Sequence, residues 1–299
     1  MADKKKFNYG GQAVIEGVMI RGRSSVVTAI RRPGGDIAVI SKPAPSINKS
    51  RARRIPFVRG VVVLIESLLL GINSLMSSAN IALEEEKEEI SNKAIWGMVA
   101  SGAVLVVAVF FIAPLFLAKL LNSLLPNSLA FMVVEGIIRL IIFIAYLKII
   151  GFMPDIKRVF TYHGAEHKTV NAYEAGVPME PESVKNYSRA HIRCGTSFLF
   201  LVLVVAIVVF SIVGRQALWL MVLYRIVLIP VIMGIGYEII YFGARHTGNW
   251  FMKIILAPGL WLQSLTTGEP DNSQLEVAIA AMNKAVENDQ AEEAAIPAA

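Results

Sequence analysis

The sequence has only one cysteine and, over two long stretches, no charged residue at all. Cys194 has no second cysteine with which to form an internal disulfide, so the fold does not depend on one. Residues 94–118 and 194–214 contain no Asp, Glu, Lys or Arg. A helix needs about 20 apolar residues to cross the hydrocarbon core of a bilayer, and a soluble core does not need uncharged runs of this length. Both runs therefore predict membrane-spanning helices.

Two further apolar runs predict spans although they contain charges. Residues 128–152 include Glu135, Arg139 and Lys148, and residues 216–237 include Arg225. The expected fold class is a membrane protein that is mainly α-helical, with a four-helix transmembrane bundle. An even number of spans leaves the basic N-terminus, the charged loop 153–194 and the C-terminus together on the cytoplasmic side, as the excess of Lys and Arg there requires.

Residues 60–83 form a helix that is long enough to span but polar along one side. Glu66, Asn73, Ser77 and Asn80 recur at helical spacing, with apolar residues on the opposite face. This pattern predicts an amphipathic helix lying in the membrane interface, followed by the solvated acidic turn 84–89. A fifth span here would put the basic N-terminus and the charged loop on opposite sides of the membrane, so we favour the interfacial helix.

Charge is distributed unevenly between the two ends of the chain. Residues 1–60 hold thirteen Lys and Arg against three acidic residues, whereas residues 268–299 hold seven acidic residues and one lysine. Neither aromatic stacking residues nor a recognisable module accompanies the basic end, so the lipid bilayer, and no nucleic acid, is its expected partner. Strand-like residues on both sides of Pro33-Gly34-Gly35 predict a hairpin, and residues 10–22 predict another strand.

These patterns together give the domain organisation. The first predicted unit is a basic cytoplasmic region containing a β-hairpin (1–59), and the second is an amphipathic interfacial helix with the acidic turn (60–92). A four-span membrane domain follows (93–250), which includes the cytoplasmic histidine-containing loop. The last unit is a cytoplasmic C-terminal segment (251–299), which ends in an acidic disordered tail from residue 288.

The stretch after the second span contains the residues that carry most chemical information. His163 and His167 are four residues apart and so share one face of a helix, where two imidazoles can hold one cation. Glu166 completes the pattern His-x-x-Glu-His, the inverted zinc-peptidase motif in which the glutamate is the general base. We therefore expect a divalent metal, zinc, with Glu166 as the catalytic residue. The alternative is that the histidines are structural or face lipid headgroups.

Further metal ligands have to come from outside this motif. His191 and Cys194, just before the third span, have a spacing acceptable for zinc. Glu238, at the cytoplasmic end of the fourth span, is the preferred third ligand because inverted zinc peptidases take one from a glutamate on a later helix. His246 is a weaker candidate, and Glu16 is a further carboxylate that could fold back onto the site.

Three charged residues lie within predicted spans and form an expected intramembrane network. Glu135 and Arg139 are four residues apart on one helix and can neutralise each other, and Arg225 needs a partner of its own. We interpret this network as a structural link between helices.

Four separated segments resemble one family of bacterial membrane proteins. GGQAVIEGVMIRG (10–22), HGAEHKTVNAYE (163–174), HIRCGTSF (191–198) and LTTGEPD (265–271) look like the YqhQ-like proteins. The resemblance covers nearly the whole chain and implies a multi-pass protein of the bacterial cytoplasmic membrane. Members have been labelled as predicted metal-dependent enzymes, so the resemblance supports the site residues His163, Glu166, His167, His191 and Cys194 without naming a reaction.

Two functions remain open at this stage. The first is a metal-dependent hydrolase at the cytoplasmic membrane interface, acting on a membrane peptide or a lipid headgroup. The second is a non-enzymatic membrane scaffold or assembly factor, in which the histidine cluster is a structural metal or polar site and the charged ends bind membrane protein partners or a second copy of the chain. A transporter is a weaker third, since the sequence shows no internal repeat.

Overall fold

A four-stranded antiparallel sheet precedes the helices of the chain. The computed structural model describes residues 7–45, 55–82, 92–246 and 248–295. The strands follow one another in sheet order: β1 (Gly10–Val14), β2 (Gly17–Arg21), β3 (Ser25–Arg31) and β4 (Ile37–Pro43). The predicted hairpin around Pro33 is confirmed as the β3–β4 connection. The prediction of one strand over residues 10–22 is wrong, because Ile15 and Glu16 form a two-residue turn, with Glu16 at a φ of 53°, that folds it into two.

The helices in the described part of the chain follow in one series. They are α1 (Val58–Ala82), α2 (Asn92–Val107), α3 (Ala113–Leu120), α4 (Ser128–Ile150), α5 (Pro154–Ala175), α6 (Pro181–Val184), α7 (Gly195–Val213), α8 (Leu218–Val227), α9 (Ile229–Gly243), α10 (Trp250–Gln263) and α11 (Asn272–Ala295). A π-helical turn, Ala108–Ile112, joins α2 to α3 without a break.

Four helices are long and apolar enough to cross a membrane, and a fifth candidate is a bent pair. The four are Val58–Ala82, Trp96–Leu120, Ser128–Ile150 and Gly195–Val213. The predicted fourth span is instead broken into α8 and α9, which meet at 46°. Leu228 separates the two pieces, and Pro230 lies in the first turn of the second, because proline lacks the N–H that a continuous helix needs. The length and the apolar composition of these helices support a membrane protein.

The sheet lies between helices on its two faces. Val18, Ile20 and Val27 share a core with residues of α5 and α11, including Tyr162 and Met282. On the other face Val14, Met19 and Val26 pack with Leu70 of α1. Since side chains alternate across a strand, each strand supplies apolar residues to both layers. The N-terminal sheet, the histidine-containing helix α5 and the C-terminal helix α11 thus form one packed unit.

Helix α11 extends farther than the sequence indicated. Residues 288–295 were predicted to be disordered, yet they continue the helix to Ala295. The Asp289 carboxylate accepts hydrogen bonds from the Tyr9 hydroxyl at 2.9 Å and from the backbone N–H groups of Arg23 and Ser24 at 2.8 Å each. These long-range contacts stabilise a segment whose composition alone favours disorder. Residues 296–299 and the predicted acidic turn 84–89 lie outside the described residues.

Helix α1 has its polar side against the sheet and its apolar side exposed. Arg21 of β2 pairs with the buried Glu66 at 2.7 Å, and the backbone N–H of Ile15 donates to Ser78 Oγ at 3.2 Å. Glu66 and Ser78 are about 18 Å apart along a helix axis, so a long stretch of α1 lies along the sheet. The opposite side exposes large apolar residues, among them Ile65, Leu68, Leu69 and Leu75. These contacts favour the interfacial helix, which stays a prediction.

Helix α10 lies across the ends of two neighbouring helices. Met252 and Leu256 pack on Gly243 at the end of α9, and Gly259 packs on Ser197 in the first turn of α7. The outer side of α10 is exposed and aromatic-rich, with Trp250, Phe251, Ile254 and Trp261. Tryptophan is enriched at membrane–water interfaces, where one side of the ring is apolar and the other is wet.

The four-span topology can be tested by cysteine labelling. Ser123, between α3 and α4, and Glu180, after α5, are both exposed, whereas the native Cys194 is buried. We expect a membrane-impermeant maleimide to label Ser123→Cys in intact cells and Glu180→Cys only after permeabilisation, because the predicted topology puts these positions on opposite sides of the membrane. The parent chain, whose cysteine Cys194 is buried, is the control and should stay unlabelled. Labelling of both variants in intact cells would contradict the topology.

Candidate metal centre

Helix α5 presents the two motif histidines side by side. The helix begins after Met153 with Pro154 in its first turn, where the missing N–H costs nothing, and ends at Gly176, whose φ is 74°. His163 and His167 are one turn apart, and their ring centroids are 4.4 Å from each other. His167 is 1% exposed, so this face of α5 is covered by other segments.

Backbone carbonyl groups from two different loops determine which ring nitrogen is free. The Nδ1 atom of His163 is 2.9 Å from the Thr266 carbonyl oxygen, and the Nδ1 atom of His167 is 2.5 Å from that of Arg189. A carbonyl oxygen only accepts hydrogen bonds, so each Nδ1 must carry the hydrogen. The lone pair of each neutral ring is then on Nε2, which is the arrangement that metal-binding histidines have in proteins.

Cys194 completes a group of three potential metal ligands with these rings. Its Sγ atom is 3.3 Å from His163 Nε2. One ligand atom from each of the three residues lies within 4.8 Å of the others. Cys194 is the N-cap of α7, and its sulfur accepts the backbone N–H of Thr196 at 3.4 Å. A helix N-terminus has a partial positive charge and therefore suits a negatively charged ligand atom.

Glu166 is buried next to this group. It is 3% exposed, and its Oε2 atom lies 3.5 Å from His167 Nε2, the nitrogen that carries the free lone pair. A buried carboxylate at this distance can take a proton from a molecule that sits beside Nε2. The role of Glu166 as a general base stays a prediction.

His191 lies at the edge of the group and is held by its neighbours. Its ring centroid is 5.7 Å from that of His167, and its Nε2 atom is 4.0 Å from a Glu174 carboxylate oxygen. Hydrogen bonding with His191 and the charge of Arg193 lower the pKa of Glu174, although burial acts in the opposite direction. The buried side chain of Gln263 bonds to both the N–H and the C=O of His191, each at 2.8 Å. His191 is not one of the three residues whose ligand atoms converge.

A close crossing of helix and loop places the carbonyl of Thr266 over α5. A Cβ atom at Gly164 would lie 2.0 Å from the Gly268 carbonyl oxygen, and the N–H of Gly268 donates to the carbonyl of Phe160 at 2.7 Å. Only glycine permits this approach. This close approach therefore explains why a glycine stands inside the motif, although glycine is a poor helix former.

Charged residues fix the two loops to each other. Arg189 donates to the Thr267 carbonyl at 3.0 Å and pairs with Glu269 at 3.1 Å. Glu269 also pairs with the buried Lys168 of α5 at 2.6 Å. Sequence reasoning missed the structural roles of Arg189, Gln263 and Thr266. The only sequence signal for Gln263 and Thr266 was their position beside or within the segment 265–271, which resembles the family. The groups that contact the histidines are mainly backbone atoms, which a residue pattern does not reveal.

Two predicted ligands are bound elsewhere. The Glu238 carboxylate accepts a hydrogen bond from Arg59 Nε at 2.7 Å and from the N–H of Phe57 at 3.1 Å, so it links α9 to the start of α1. His246 is exposed and stacks on Phe242, with centroids 4.1 Å apart. Neither belongs to the converging group. The third residue of the converging group is Cys194 and not Glu238, the candidate that the sequence favoured.

Glu16 does fold back onto α5, but at a different point. Its carboxylate pairs with Arg158 and lies 3.3 Å from the Tyr162 hydroxyl oxygen. Burial and the negative charge of Glu16 raise the pKa of Tyr162. These contacts join the β1–β2 turn to the helix rather than to the histidine pair.

The three charged side chains within the predicted spans lie together. Arg139 pairs with Glu135 one turn away on α4, and Arg225 of α8 approaches the second oxygen of Glu135 at 3.1 Å. All three side chains are nearly fully buried.

Comparison with known proteins identifies the family. A family model described as "Protein of unknown function (DUF1385)" matches residues 55–288. The "Uncharacterized protein YqhQ" of Bacillus subtilis (strain 168) is 38% identical over 292 residues, which cover 92% of this chain and 91% of the relative. No solved structure matches. The chain therefore belongs to the DUF1385 family, and the resemblance to YqhQ-like proteins is confirmed.

The crossing at Gly164 can be tested by adding one methyl group. We expect Gly164→Ala to lower the free energy of unfolding by about 1–3 kcal/mol, because the new Cβ would overlap the Gly268 carbonyl oxygen. Thermal unfolding of the detergent-purified protein measures this as a lower melting temperature. Gly102→Ala is the matched control, since a Cβ at this helical glycine meets nothing within 4 Å. Equal melting temperatures of both variants would contradict the close approach.

Proposed function

We propose that this member of the DUF1385 family is a zinc-dependent hydrolase that works where the membrane meets the cytosol. His163, His167 and Cys194 are the proposed metal ligands, and Glu166 is the proposed general base. One observation carries the proposal: both histidines have Nδ1 bound to a backbone carbonyl, with the Cys194 sulfur 3.3 Å from His163 Nε2.

The donor set fits zinc. Imidazole nitrogen and thiolate sulfur are the ligands that Zn²⁺ prefers in proteins, and a buried thiol at a helix N-terminus suits a metal of this kind. The outer hydrogen bonds to the carbonyls of Thr266 and Arg189 are the supporting contacts that orient metal-binding histidines. Three protein ligands are typical of catalytic zinc, which keeps a coordination position for water or substrate, whereas structural zinc has four.

The chain itself contributes positioning and proton transfer. A zinc ion held there would act as a Lewis acid on a carbonyl or phosphoryl oxygen and supply an activated water. Glu166 Oε2, at 3.5 Å from His167 Nε2, would take a proton from this water and later return it to the leaving group. The burial of Glu166 and His167 excludes bulk solvent from one side of the centre.

The position of the centre suggests the class of substrate. Cys194 directly precedes α7, a candidate span, so the centre lies level with one end of the membrane-spanning bundle. The exposed apolar sides of α1 and α10 would lie in the same interface. We infer that the substrate is a membrane peptide or a lipid headgroup, approached from the cytoplasmic side of a bacterial cytoplasmic membrane.

A structural zinc site in a scaffold protein is the second candidate, and the position of His191 favours it. Its ring lies 5.7 Å from that of His167, near enough that a rotation could bring in a fourth ligand. Four protein ligands would close the centre to water. The number of residues needed to hold the metal therefore separates the two functions.

Metal content provides the first test. We expect the protein, purified without chelator, to contain about one zinc ion per chain, and His163→Ala, His167→Ala and Cys194→Ser to lose most of it, because each variant removes one of three ligands. Elemental analysis measures this. His246→Ala and Glu238→Gln are controls outside the centre and should retain zinc. Absence of stoichiometric metal from the parent protein would overturn the proposal, and loss of zinc from His191→Ala would favour the structural site.

Hydrolysis is tested with the Glu166→Gln variant. We expect it to retain zinc but to hydrolyse its substrate about 10²–10⁴-fold more slowly, because the amide cannot accept the proton. Native membranes containing the protein are incubated in H₂¹⁸O, and mass spectrometry detects products that have gained ¹⁸O. His163→Ala is the second inactive variant and His246→Ala the active control. Equal ¹⁸O incorporation with the parent and Glu166→Gln would exclude Glu166 as the base.

A further inference from the structure

Two guanidinium groups and one carboxylate are buried together within the helical bundle, apart from the histidine centre. Glu135 and Arg139 of α4 are 1% and 0% exposed, and Arg225 of α8 is 3% exposed. Both guanidinium groups lie over the ring of Phe210, with centroid distances of 5.2 and 5.1 Å. Glu135 lies about 10 Å along α4 from its first residue, so the cluster is well inside the candidate span.

The positive charge of this cluster exceeds the negative charge. Glu135 is the only carboxylate that the described residues offer to either arginine, one oxygen pairing with Arg139 and the other with Arg225. One carboxylate against two guanidinium groups leaves one positive charge without a counter-charge. A buried charge that is not compensated costs several kcal/mol. The three cation–π contacts of these groups, two with Phe210 and one with Phe111, recover less than this.

The hydrogen-bond donors of the cluster are also incompletely used. Arg225 Nη1 donates to the Met221 carbonyl at 2.9 Å, and its Nη2 is 3.1 Å from Glu135 without a well-aligned hydrogen bond. Nε and Nη1 of Arg139 and Nε of Arg225 have no acceptor among the described residues. Guanidinium groups have five N–H donors and no acceptor, so what these positions lack is an acceptor that carries negative charge.

A small cleft borders Arg225. Its walls are otherwise apolar and come from the π-helical turn and from the two halves of the broken helix: Val107, Phe111, Ile112, Val222, Ile226 and Ile229. Both irregularities of the backbone therefore adjoin the same cleft. π-Turns inside helices and breaks within spans are frequent at ligand sites in proteins.

We propose that the buried cluster beside this cleft binds a small inorganic anion of the size and charge of chloride, with Arg225, which borders the cleft, and Arg139 behind it as its ligands. A single negative charge would neutralise the excess positive charge and accept the free N–H groups. A water molecule could accept a hydrogen bond but would leave the charge uncompensated. The small size of the cleft and the depth of about 10 Å along α4 favour a monatomic ion over the phosphate of a lipid headgroup. The site does not depend on the proposed metal centre.

Anion dependence of thermal stability tests the proposal in the detergent-purified full chain. At constant ionic strength, replacing gluconate with chloride should raise the melting temperature of the parent saturably, by roughly 2–5 °C, because an ion that binds only the folded state stabilises it. Arg225→Gln should lose this response. Arg215→Gln, an exposed arginine outside the cluster, is the matched control and should retain it.

A second variant decides the question if Arg225→Gln does not fold. Glu135→Gln removes the competing carboxylate, so its half-saturating chloride concentration should fall several-fold. An unchanged or higher concentration would overturn the proposal. So would a parent protein that melts at the same temperature in chloride and gluconate, or one that is stabilised only by phosphate-bearing lipid. Zinc content, measured in parallel, should not change with chloride.

Discussion

The candidate centre depends on two hydrogen bonds from histidine to the protein backbone. The carbonyl groups of Thr266 and Arg189 fix the hydrogen of each ring on Nδ1 and leave both Nε2 lone pairs for a shared partner. The contact at Gly164, where the backbone of Gly268 touches α5, holds the loop that carries the Thr266 carbonyl. The chemistry of the site therefore rests on the packing of loops and on a missing side chain as much as on the histidines themselves.

The same packing explains why the two ends of the chain belong together. The N-terminal sheet covers one side of α5 and α11, and Asp289 links α11 to the loop after β2. Glu16 attaches the β1–β2 turn to Arg158 in the second turn of α5. Three segments that look like separate regions in the sequence thus form one unit around the histidine helix. A change in any of them can alter the orientation of the histidines without touching the metal ligands.

The sequence predicted the helices and their shared faces better than it predicted contacts between distant residues. The two charge-free runs and the apolar run 128–152 correctly identified three long apolar helices, because a span has to be predominantly apolar along its whole length. The spacing of His163 and His167 correctly predicted a shared face, because helical periodicity is local. The third ligand could not be chosen in this way. Glu238 and Cys194 both follow the motif in the required order, and only the three-dimensional packing pairs Glu238 with Arg59.

Helix α7 connects the two polar regions of the molecule and also separates them. Cys194 is its N-cap and Phe210 lies near its other end, so about 24 Å of apolar helix lies between the proposed metal ligand and the ring beneath the two arginines. Residues this far apart with no shared partner contribute independently to stability. Histidine nitrogens and a thiol form one region, and a charged cluster with an excess of guanidinium forms the other. The bundle therefore presents two different chemistries at two levels, and each proposal stands or falls by its own measurements.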